Sequence, residues 1–211
     1  MRIDEWLHVR GYFESRSRAK IAVRKGYVLV NGRKVKPSYN LRGYESIDIL
    51  TESNPAGYYK LKELDARWKI FEDVKTVLDL GSSAGGFLIY ASEKSELVFG
   101  IEYSREFEQV LRKIESERDN VRVFIADAFT FDVESLPHFD LILCDLTLEP
   151  EDAFKAPKRY APRLKGGGKA IFVSKDREIE MEDFEMLDVV KSEEKREWYY
   201  LLEKNNNEAM A

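Results

Sequence analysis

Apolar residues at the start of the chain recur at helical spacing. Between residues 3 and 9 they follow one face of a helix, which Gly11 is placed to end. A second helix is predicted to begin after Ser15, whose hydroxyl can cap it. This helix is predicted to end at Gly26, because glycine readily adopts the left-handed backbone of a helix C-cap. The chain is therefore predicted to open with a pair of helices.

Short strands are predicted after the helix pair. Residues 28–30 are apolar and lead into Asn31-Gly32, a pair that favours a type I′ hairpin turn, so a return strand is predicted from Val35. A third strand is predicted over residues 46–50. Residues 51–57 are rich in turn-forming types. We therefore predict a first domain over residues 1–50 and a linker over residues 51–57.

The rest of the chain alternates strands with helices. Residues 58–71 have helical spacing. Beyond them, strands are predicted over residues 76–80, 97–101, 121–125, 139–144 and 170–174, and helices over residues 85–92, 104–117 and 151–164. This alternation predicts an α/β domain over residues 58–204, with a parallel sheet, helices on both faces and ligand sites at the carboxyl ends of the strands.

The C-terminal end departs from this alternation. Only a short helix, around residues 181–185, fits before two further strands at residues 186–190 and 198–202. Because only a charged turn separates these strands, we predict a hairpin that adds an antiparallel strand to the sheet. Residues 205–211 are predicted to be a disordered tail.

A turn of small residues after the first strand of the α/β domain marks a candidate cofactor site. Small side chains there leave backbone N–H groups at the helix start open to a ligand. The turn departs from the G-x-G-x-x-G dinucleotide pattern at Ser83. Asp79 on this strand and Glu102 at the end of the next suit S-adenosylmethionine, whose ribose hydroxyls need an acceptor. The alternative is an ordinary strand-to-helix turn. The predicted cofactor-binding residues are Asp79, Gly81, Ser82, Ser83, Gly85, Gly86, Phe87 and Glu102.

Charge is distributed unevenly along the chain. The formal net charge is −5, but residues 1–50 contain 11 Lys or Arg against 5 acidic residues. The first domain therefore carries about +6 and the remainder about −11. A basic domain attached to an acidic one suggests that the basic part binds a polyanion, most simply nucleic acid. The alternative is a solvated charged surface.

The cysteine and histidine content limits the disulfides and metal sites that the chain can form. Cys144 is the single cysteine, so an intrachain disulfide is excluded, and no His/Cys cluster has metal-ligand spacing. No metal is therefore expected. The N-terminus lacks the apolar run of a signal peptide, and the longest apolar runs have strand length. We therefore expect a cytoplasmic protein with no membrane partner.

The first domain resembles the S4 RNA-binding domain. The resemblance rests on Arg2-Ile3-Asp4-x-x-Leu7, Ser15-Arg16-x-x-Ala19 and the run from Gly26 to Gly32. It implies a small α+β domain that grips structured RNA through phosphate and shape contacts. The residues so implicated are Arg16, Arg18, Lys20, Arg24 and Lys25 of the second helix, with Arg33 and Lys34 at the hairpin turn.

The α/β domain resembles the FtsJ-like ribose 2′-O-methyltransferases, and the two domains together resemble TlyA haemolysin-type rRNA methyltransferases. Four motifs carry this resemblance: Tyr58-Tyr59-Lys60-Leu61, the strand ending in Cys144-Asp145, the strand ending in Ser174-Lys175, and Lys195-Arg196-Glu197-Trp198-Tyr199-Tyr200. They give the family's catalytic tetrad as Lys60, Asp145, Lys175 and Glu197. The resemblance also implies a Rossmann-like class I methyltransferase sheet with an antiparallel last strand, and it places Asp127 near the adenine amino group of the cofactor.

The predicted function is S-adenosylmethionine-dependent methylation of a ribose 2′-hydroxyl in structured RNA, most simply ribosomal RNA or a ribosomal subunit. Lys175 is the candidate base, Asp145 would orient its amine, and Glu197 would pair with Lys60. The alternative is a non-catalytic RNA-binding or ribosome-assembly factor with a methyltransferase fold. The segment after Cys144 lacks the Asn/Asp-Pro-Pro-aromatic signature of base-amino methylation, and no Gly-Arg-Leu-Asp loop of pseudouridine synthases is present.

Overall fold

A computed structural model describes residues 1–10, 12–13, 15–49, 54–179, 181, 183–192 and 196–205. The chain forms two compact units, Met1–Ser53 and Asn54–Ala211. The predicted helix stop at Gly11 and the residues 206–211 of the predicted tail lie outside the described residues.

The N-terminal unit packs two helices on a small antiparallel sheet. Ser15 caps the second helix as predicted, because its Oγ accepts a hydrogen bond from the Arg18 N–H at 3.2 Å. Gly26 ends that helix with a φ of +80°. The elements are α1 (Ile3–Val9), α2 (Arg16–Lys25), β1 (Val28–Val30), β2 (Arg33–Lys34) and β3 (Ile47–Ile49). The strand order is β2-β1-β3.

The hairpin turn of this unit explains where its strands begin. Asn31 and Gly32 both have positive φ, 50° and 71°, as a type I′ turn requires. Such a turn spans two residues, so Val30 pairs directly with Arg33. The return strand therefore starts at Arg33, and the prediction of a start at Val35 was wrong. Residues fully buried beneath the sheet include Ile3, Leu7, Ala19 and Val28.

The C-terminal unit is built on a seven-stranded sheet with the order β6-β5-β4-β7-β8-β10-β9. The first five strands in this order run parallel, and β10 runs antiparallel to both of its neighbours. The α/β fold and its antiparallel C-terminal hairpin are therefore confirmed. The elements are α3 (Ala56–Trp68), β4 (Thr76–Leu80), α4 (Gly86–Ser92), β5 (Leu97–Glu102), α5 (Glu108–Glu117), β6 (Val121–Ile125), β7 (Phe139–Cys144), α6 (Pro150–Tyr160), β8 (Leu164–Lys175), β9 (Phe184–Lys191) and β10 (Glu197–Lys204).

The helix predicted at residues 181–185 is wrong. Phe184 and Glu185 already belong to β9, and no helix lies between Lys175 and β9 in the residues that the structure describes. Phe184 is 4% exposed and its ring packs edge-on against Phe154 of α6. Pairing of Phe184 with Lys204 extends the hairpin ladder in place of a helical turn.

Successive side chains of the central strands point to opposite faces of the sheet. Val77, Leu143 and Ile171 belong to a core on the face that packs against α3, α4 and α5. Their neighbours Leu78, Ile142 and Phe172 belong to a second core that includes residues of α6. The strand order reverses between β4 and β7, the point where open α/β sheets leave a ligand crevice at the strands' carboxyl ends.

Candidate active site

The four residues predicted as a catalytic tetrad converge at this end of the sheet. Lys60 lies on α3, Asp145 follows the last residue of β7, Lys175 ends β8 and Glu197 begins β10. Strand register brings the last two together, because Glu197 and Lys175 are directly opposed in the β8–β10 ladder.

The tetrad forms a closed ring of alternating charge. The Nζ of Lys60 lies 2.6 Å from Asp145 Oδ2 and 3.1 Å from Glu197 Oε2. The Nζ of Lys175 lies 2.5 Å from Asp145 Oδ1 and 2.9 Å from Glu197 Oε1. Each ammonium therefore bridges both carboxylates, and the formal charges of the four groups cancel.

Burial and pairing act against each other on these groups. The side chains of Glu197 and Lys60 are 9% and 12% exposed, while that of Lys175 is 23% exposed. Burial alone would lower the pKa of Lys60, but Asp145 and Glu197 outweigh it and the pKa is raised. Burial would raise the pKa of Glu197, but Lys60, Lys175 and Tyr199 hold it at about 2. Lys60 and Glu197 are therefore a stable ion pair at neutral pH.

Tyr199 belongs to this cluster, although it was not among the predicted site residues of the last-strand motif. Its hydroxyl donates to Glu197 Oε2 at 2.8 Å, and its ring centroid lies 5.7 Å from Lys60 Nζ. Burial raises the pKa of the Tyr199 hydroxyl. The signal in the sequence is spacing, since residues two apart on a strand share a face.

A cleft of about 420 Å³ opens beside the tetrad. Four of the predicted cofactor residues line it, namely Gly81, Ser83, Glu102 and Asp127, and so does Asp145 of the tetrad. The lining residues that sequence reasoning missed are Ile101, Tyr103, Ser104, Phe107, Ala128, Phe129, Leu146, Thr147 and Leu148. Several are apolar and follow strand ends, which the spacing of charged residues alone does not reveal.

Glu102 organises the loops at the carboxyl ends of β4 and β5. Its Oε2 accepts the Ser83 N–H and its Oε1 accepts the Ser104 N–H, both at 2.7 Å. Ser83 has a φ of +50°, in the left-handed region that non-glycine residues seldom adopt. Asp127 has a similar local role, because its Oδ1 accepts the Phe129 N–H at 2.8 Å. Each carboxylate oxygen retains a further lone pair for a ligand hydroxyl or amine.

Asp79 lies below the cleft rather than on its surface. It is 1% exposed, and neither carboxylate oxygen has a hydrogen-bond partner within the described part of the chain. Burial raises the pKa of Asp79 to about 7; the nearby Ser82 hydroxyl acts in the opposite direction, and the charges of Asp145 and Glu102 add to the rise. An unpaired buried carboxylate is uncommon and is typical of functional sites.

The remaining predicted cofactor residues do not line the cleft. A Cβ on Gly85 would overlap Ile114 Cδ1, and one on Gly86 would come within 2.6 Å of the Tyr58 nitrogen. The two glycines therefore allow α4 to pack closely against its neighbours. Phe87 is 4% exposed in the core, and the Ser82 hydroxyl donates to the backbone carbonyl of Asp79 at 3.4 Å.

The predicted RNA-binding residues are surface residues of the N-terminal unit. Lys25 is half-buried, and the aliphatic end of Lys34 lies over Gly26. Arg16 is in an ion pair with Asp4, with 3.4 Å between Nε and Oδ2. The exposed members of the set are Arg16, Arg18, Lys20, Arg24, Arg33 and Lys34. Their contact with RNA stays a prediction.

The described residues contain neither a metal-ligating cluster nor a membrane-spanning helix. No group of three or more His, Cys, Asp or Glu side chains there is arranged to hold a metal ion. Within the same part of the chain, no helix has the length and apolar character needed to cross a membrane.

Two family models match the chain. Residues 56–152 match FtsJ-like methyltransferase, and residues 1–45 match the S4 domain. The first match includes Lys60 and Asp145, whereas Lys175 and Glu197 lie beyond it. Both matches agree with the resemblances found in the sequence.

The curated relatives match only part of the chain. Hemolysin A of Brachyspira hyodysenteriae is 36% identical over 91 residues, which cover 41% of this chain and 38% of that protein. The chain thus spans little more than a third of the curated relatives it matches, at 38% and 36% of their lengths.

Solved structures share the fold. A structure described as a hemolysin of Streptococcus thermophilus superposes with a TM-score of 0.62 at 20% identity, covering 98% of this chain and 89% of that one. Fibrillarin of Aeropyrum pernix, crystallised with natively bound S-adenosyl-L-methionine, superposes with a TM-score of 0.58 at 18% identity, covering 69% and 75%.

Proposed function

We propose that this chain, which joins an S4 domain to an FtsJ-like methyltransferase domain, is an S-adenosylmethionine-dependent RNA methyltransferase. Its target is a ribose 2′-hydroxyl, most simply in ribosomal RNA or a ribosomal subunit. The observation that carries this proposal is the closed ring of Lys60, Asp145, Lys175 and Glu197 beside a nucleoside-sized cleft that Asp145 itself lines.

The cleft fits S-adenosylmethionine by the chemistry of its walls. Glu102 and Asp127 supply carboxylate acceptors, which suit ribose hydroxyls and the adenine amino group. Phe107, Phe129 and Leu146 supply apolar surface for the adenine ring. When bound, this cofactor supplies a methyl group activated by a sulfonium, so no further activation of the methyl donor is required of the protein.

The tetrad supplies alignment and proton removal. A ribose 2′-hydroxyl is a poor nucleophile, so its proton must leave as the oxygen attacks. Lys175 is proposed as the base because its side chain is the more exposed of the two lysines and so the more accessible to a substrate hydroxyl, whereas the raised pKa of Lys60 keeps that residue charged. Lys175 must first release a proton to solvent before it can accept the one from the 2′-hydroxyl, and the ammonium that re-forms is held by Asp145 and Glu197.

RNA recognition is assigned to the N-terminal unit. Exposed Lys and Arg side chains on α2 and the hairpin can bind phosphates, which supply affinity without sequence selectivity. The acidic C-terminal unit then contributes chemistry rather than most of the affinity. This assignment of RNA affinity to one unit and of chemistry to the other rests on their charges, about +6 for residues 1–50 and about −11 for the rest of the chain.

Methyl transfer to RNA tests the proposal. Purified protein is incubated with methyl-labelled S-adenosylmethionine and either ribosomal subunits or naked ribosomal RNA, and the product is hydrolysed in alkali. A 2′-O-methyl group blocks attack on the adjacent phosphate, so the label should be recovered in an alkali-resistant dinucleotide. Label recovered in mononucleotides would indicate base methylation and would contradict the ribose assignment.

The non-catalytic alternative gives a different result in calorimetry. An RNA-binding factor that only retains the fold would show no heat of binding with S-adenosylmethionine, whereas the enzyme should bind it without RNA. Absence of cofactor binding by folded protein would favour the alternative.

A further inference from the structure

An exposed aromatic patch lies at the end of α1 in the N-terminal unit. Trp6, Val9 and Arg10 share one face of this helix because they are three and four residues apart. The Tyr12 N–H donates to the Leu7 carbonyl at 3.0 Å, which folds the chain back toward the helix. Tyr12 is 51% exposed and Val9 is 66% exposed.

The rings in this patch are stacked. The centroids of Trp6 and Tyr12 are 5.6 Å apart with an interplanar angle of 18°. The guanidinium carbon of Arg10 lies 5.6 Å from the centroid of Trp6. The patch thus combines a half-exposed tyrosine ring and an arginine cation, both of which contact the indole of Trp6. A contiguous exposed apolar surface can mark a binding site.

We infer that Tyr12, held by its stack on Trp6, is the stacking site for an unpaired base of the bound RNA. Charge complementarity favours this occupant, because the unit carries about +6 and Arg10 can contact the phosphate of the stacked nucleotide. Unpaired bases in structured RNA are commonly recognised by stacking on aromatic rings and arginine. The inference rests on the proposed RNA binding and adds a preference that phosphate contacts alone cannot give.

Two RNA probes test this inference in the full chain. One is a duplex with a single bulged adenosine, and the other is the same duplex fully paired. Wild-type protein should bind the bulged duplex more tightly. Tyr12→Ala should weaken binding to the bulged duplex by about 5-fold to 100-fold and leave the paired duplex unchanged, because stacking is lost but phosphate contacts remain. The slope of log affinity against log salt should not change, since no charge is removed.

Matched variants separate stacking from other effects. Tyr12→Phe keeps the ring and should keep the preference for the bulge. Tyr44→Ala removes another tyrosine of the same unit, 73% exposed, and should have no effect. The inference is wrong if wild-type protein shows no preference, if Tyr12→Ala weakens both RNAs equally, or if it lowers the melting temperature while RNA affinity stays constant. The last result would mean that Tyr12 contributes to the stability of the protein and not to RNA binding.

Failure of the inference differs from failure of the proposed function. Binding of the paired duplex without a preference for the bulge overturns only the role of Tyr12. Absence of binding to both duplexes at low salt contradicts RNA binding by the chain, and the role of Tyr12 with it.

Discussion

The Lys60 ammonium lies 2.6 Å from the Asp145 carboxylate, although 85 residues separate the two in the chain. The same ammonium contacts Glu197 of the last strand at 3.1 Å. Lys60 therefore joins the first helix of the C-terminal unit to two carboxylates at the end of the sheet. Without it, those carboxylates would share Lys175 as their cation in the tetrad.

Loss of this cation should destabilise the fold. Lys60→Met leaves two largely buried carboxylates with one ammonium, and we expect the free energy of unfolding to fall by roughly 3 kcal/mol in urea titrations at pH 7. Lys69→Met is the control, because Lys69 is 73% exposed in its ion pair with Glu72, and it should change the value by less than about 0.5 kcal/mol. Adding Glu197→Gln to Lys60→Met should restore part of the loss. Equal stability of the two lysine variants would show that the ring contributes nothing to folding.

The tetrad was predicted from the resemblance of its four motifs to those of FtsJ-like methyltransferases, and the position of two of its members is also understandable from the fold. Asp145 and Lys175 follow apolar runs, and the carboxyl ends of parallel strands meet at one edge of the sheet. The register that opposes Glu197 to Lys175 could not be predicted, because it depends on pairing between strands whose lengths the sequence does not define. The contribution of Tyr199 depends on the same register.

Secondary structure was predicted correctly where the apolar residues had a clear periodicity. It was predicted wrongly where packing in the folded protein determined the conformation of a segment. Residues 121–125 and 139–144 became strands with the predicted bounds. Residues 181–185 were predicted as a helix, whereas Phe184 is drawn into the core beside Phe154 and extends β9. At the cofactor turn, the pattern identified Gly81 and Ser83 as cleft residues. The same pattern could not show that Gly85 serves helix packing.

Asp79 should make stability fall as pH rises. Burial raises the pKa of Asp79 to about 7 from an ordinary value of 3.8, so the folded state holds its proton after the unfolded chain has released it. Between about pH 4 and pH 7 the wild-type protein should therefore lose on the order of 4 kcal/mol relative to Asp79→Asn, which cannot ionise. Urea titrations of the C-terminal unit across this range measure the difference.

Asp140 provides the opposite case as a control. Burial acts to raise the pKa of Asp140, but Lys165 and the N–H groups of Thr76 and Lys75 outweigh it and lower the pKa. Its contribution to stability is present above the unfolded pKa and is lost as pH falls through the folded one. Asp140→Asn should therefore be less stable than wild type at neutral pH, and this difference in the free energy of unfolding should shrink as the pH falls.

For Asp79, parallel curves of stability against pH for wild type and Asp79→Asn would contradict the unpaired state of its carboxylate.

Glu102 should be required for cofactor affinity. Its two oxygens hold the Ser83 and Ser104 N–H groups, and they face the cleft where ribose hydroxyls are proposed to bind. Glu102→Ala should weaken S-adenosylmethionine binding by roughly 1–3 kcal/mol in calorimetry, and Glu102→Gln should give an intermediate loss. Glu106→Ala removes an exposed carboxylate four residues away and should leave the affinity unchanged. If Glu102→Ala bound the cofactor normally, the ribose would have to lie elsewhere.

The basic surface of the N-terminal unit should set the salt dependence of RNA binding. Replacing Lys20, Arg24 and Arg33 with Ala should reduce the slope of log affinity against log salt by up to about 3. Each phosphate contact releases about one counterion on binding, so each contact that is lost lowers the slope by about one. Replacing Lys69, Lys75 and Lys113 of the C-terminal unit is the matched control, since these lysines are 73%, 66% and 72% exposed. Equal slopes for the two triple variants, measured by anisotropy titrations, would refute the proposed division between the units.

Lys175 is the sharpest test of the chemistry. If it accepts the 2′-hydroxyl proton, Lys175→Ala should lose on the order of 10²–10⁴-fold in single-turnover rate while cofactor and RNA affinities stay the same, because a base acts in the transition state. Lys175→Arg keeps a cation near Asp145 and Glu197 but stays protonated, so it should be nearly as slow. A near-normal rate for Lys175→Arg would show that only positive charge is needed at this position. The proton would then have to leave to Asp145 or to water.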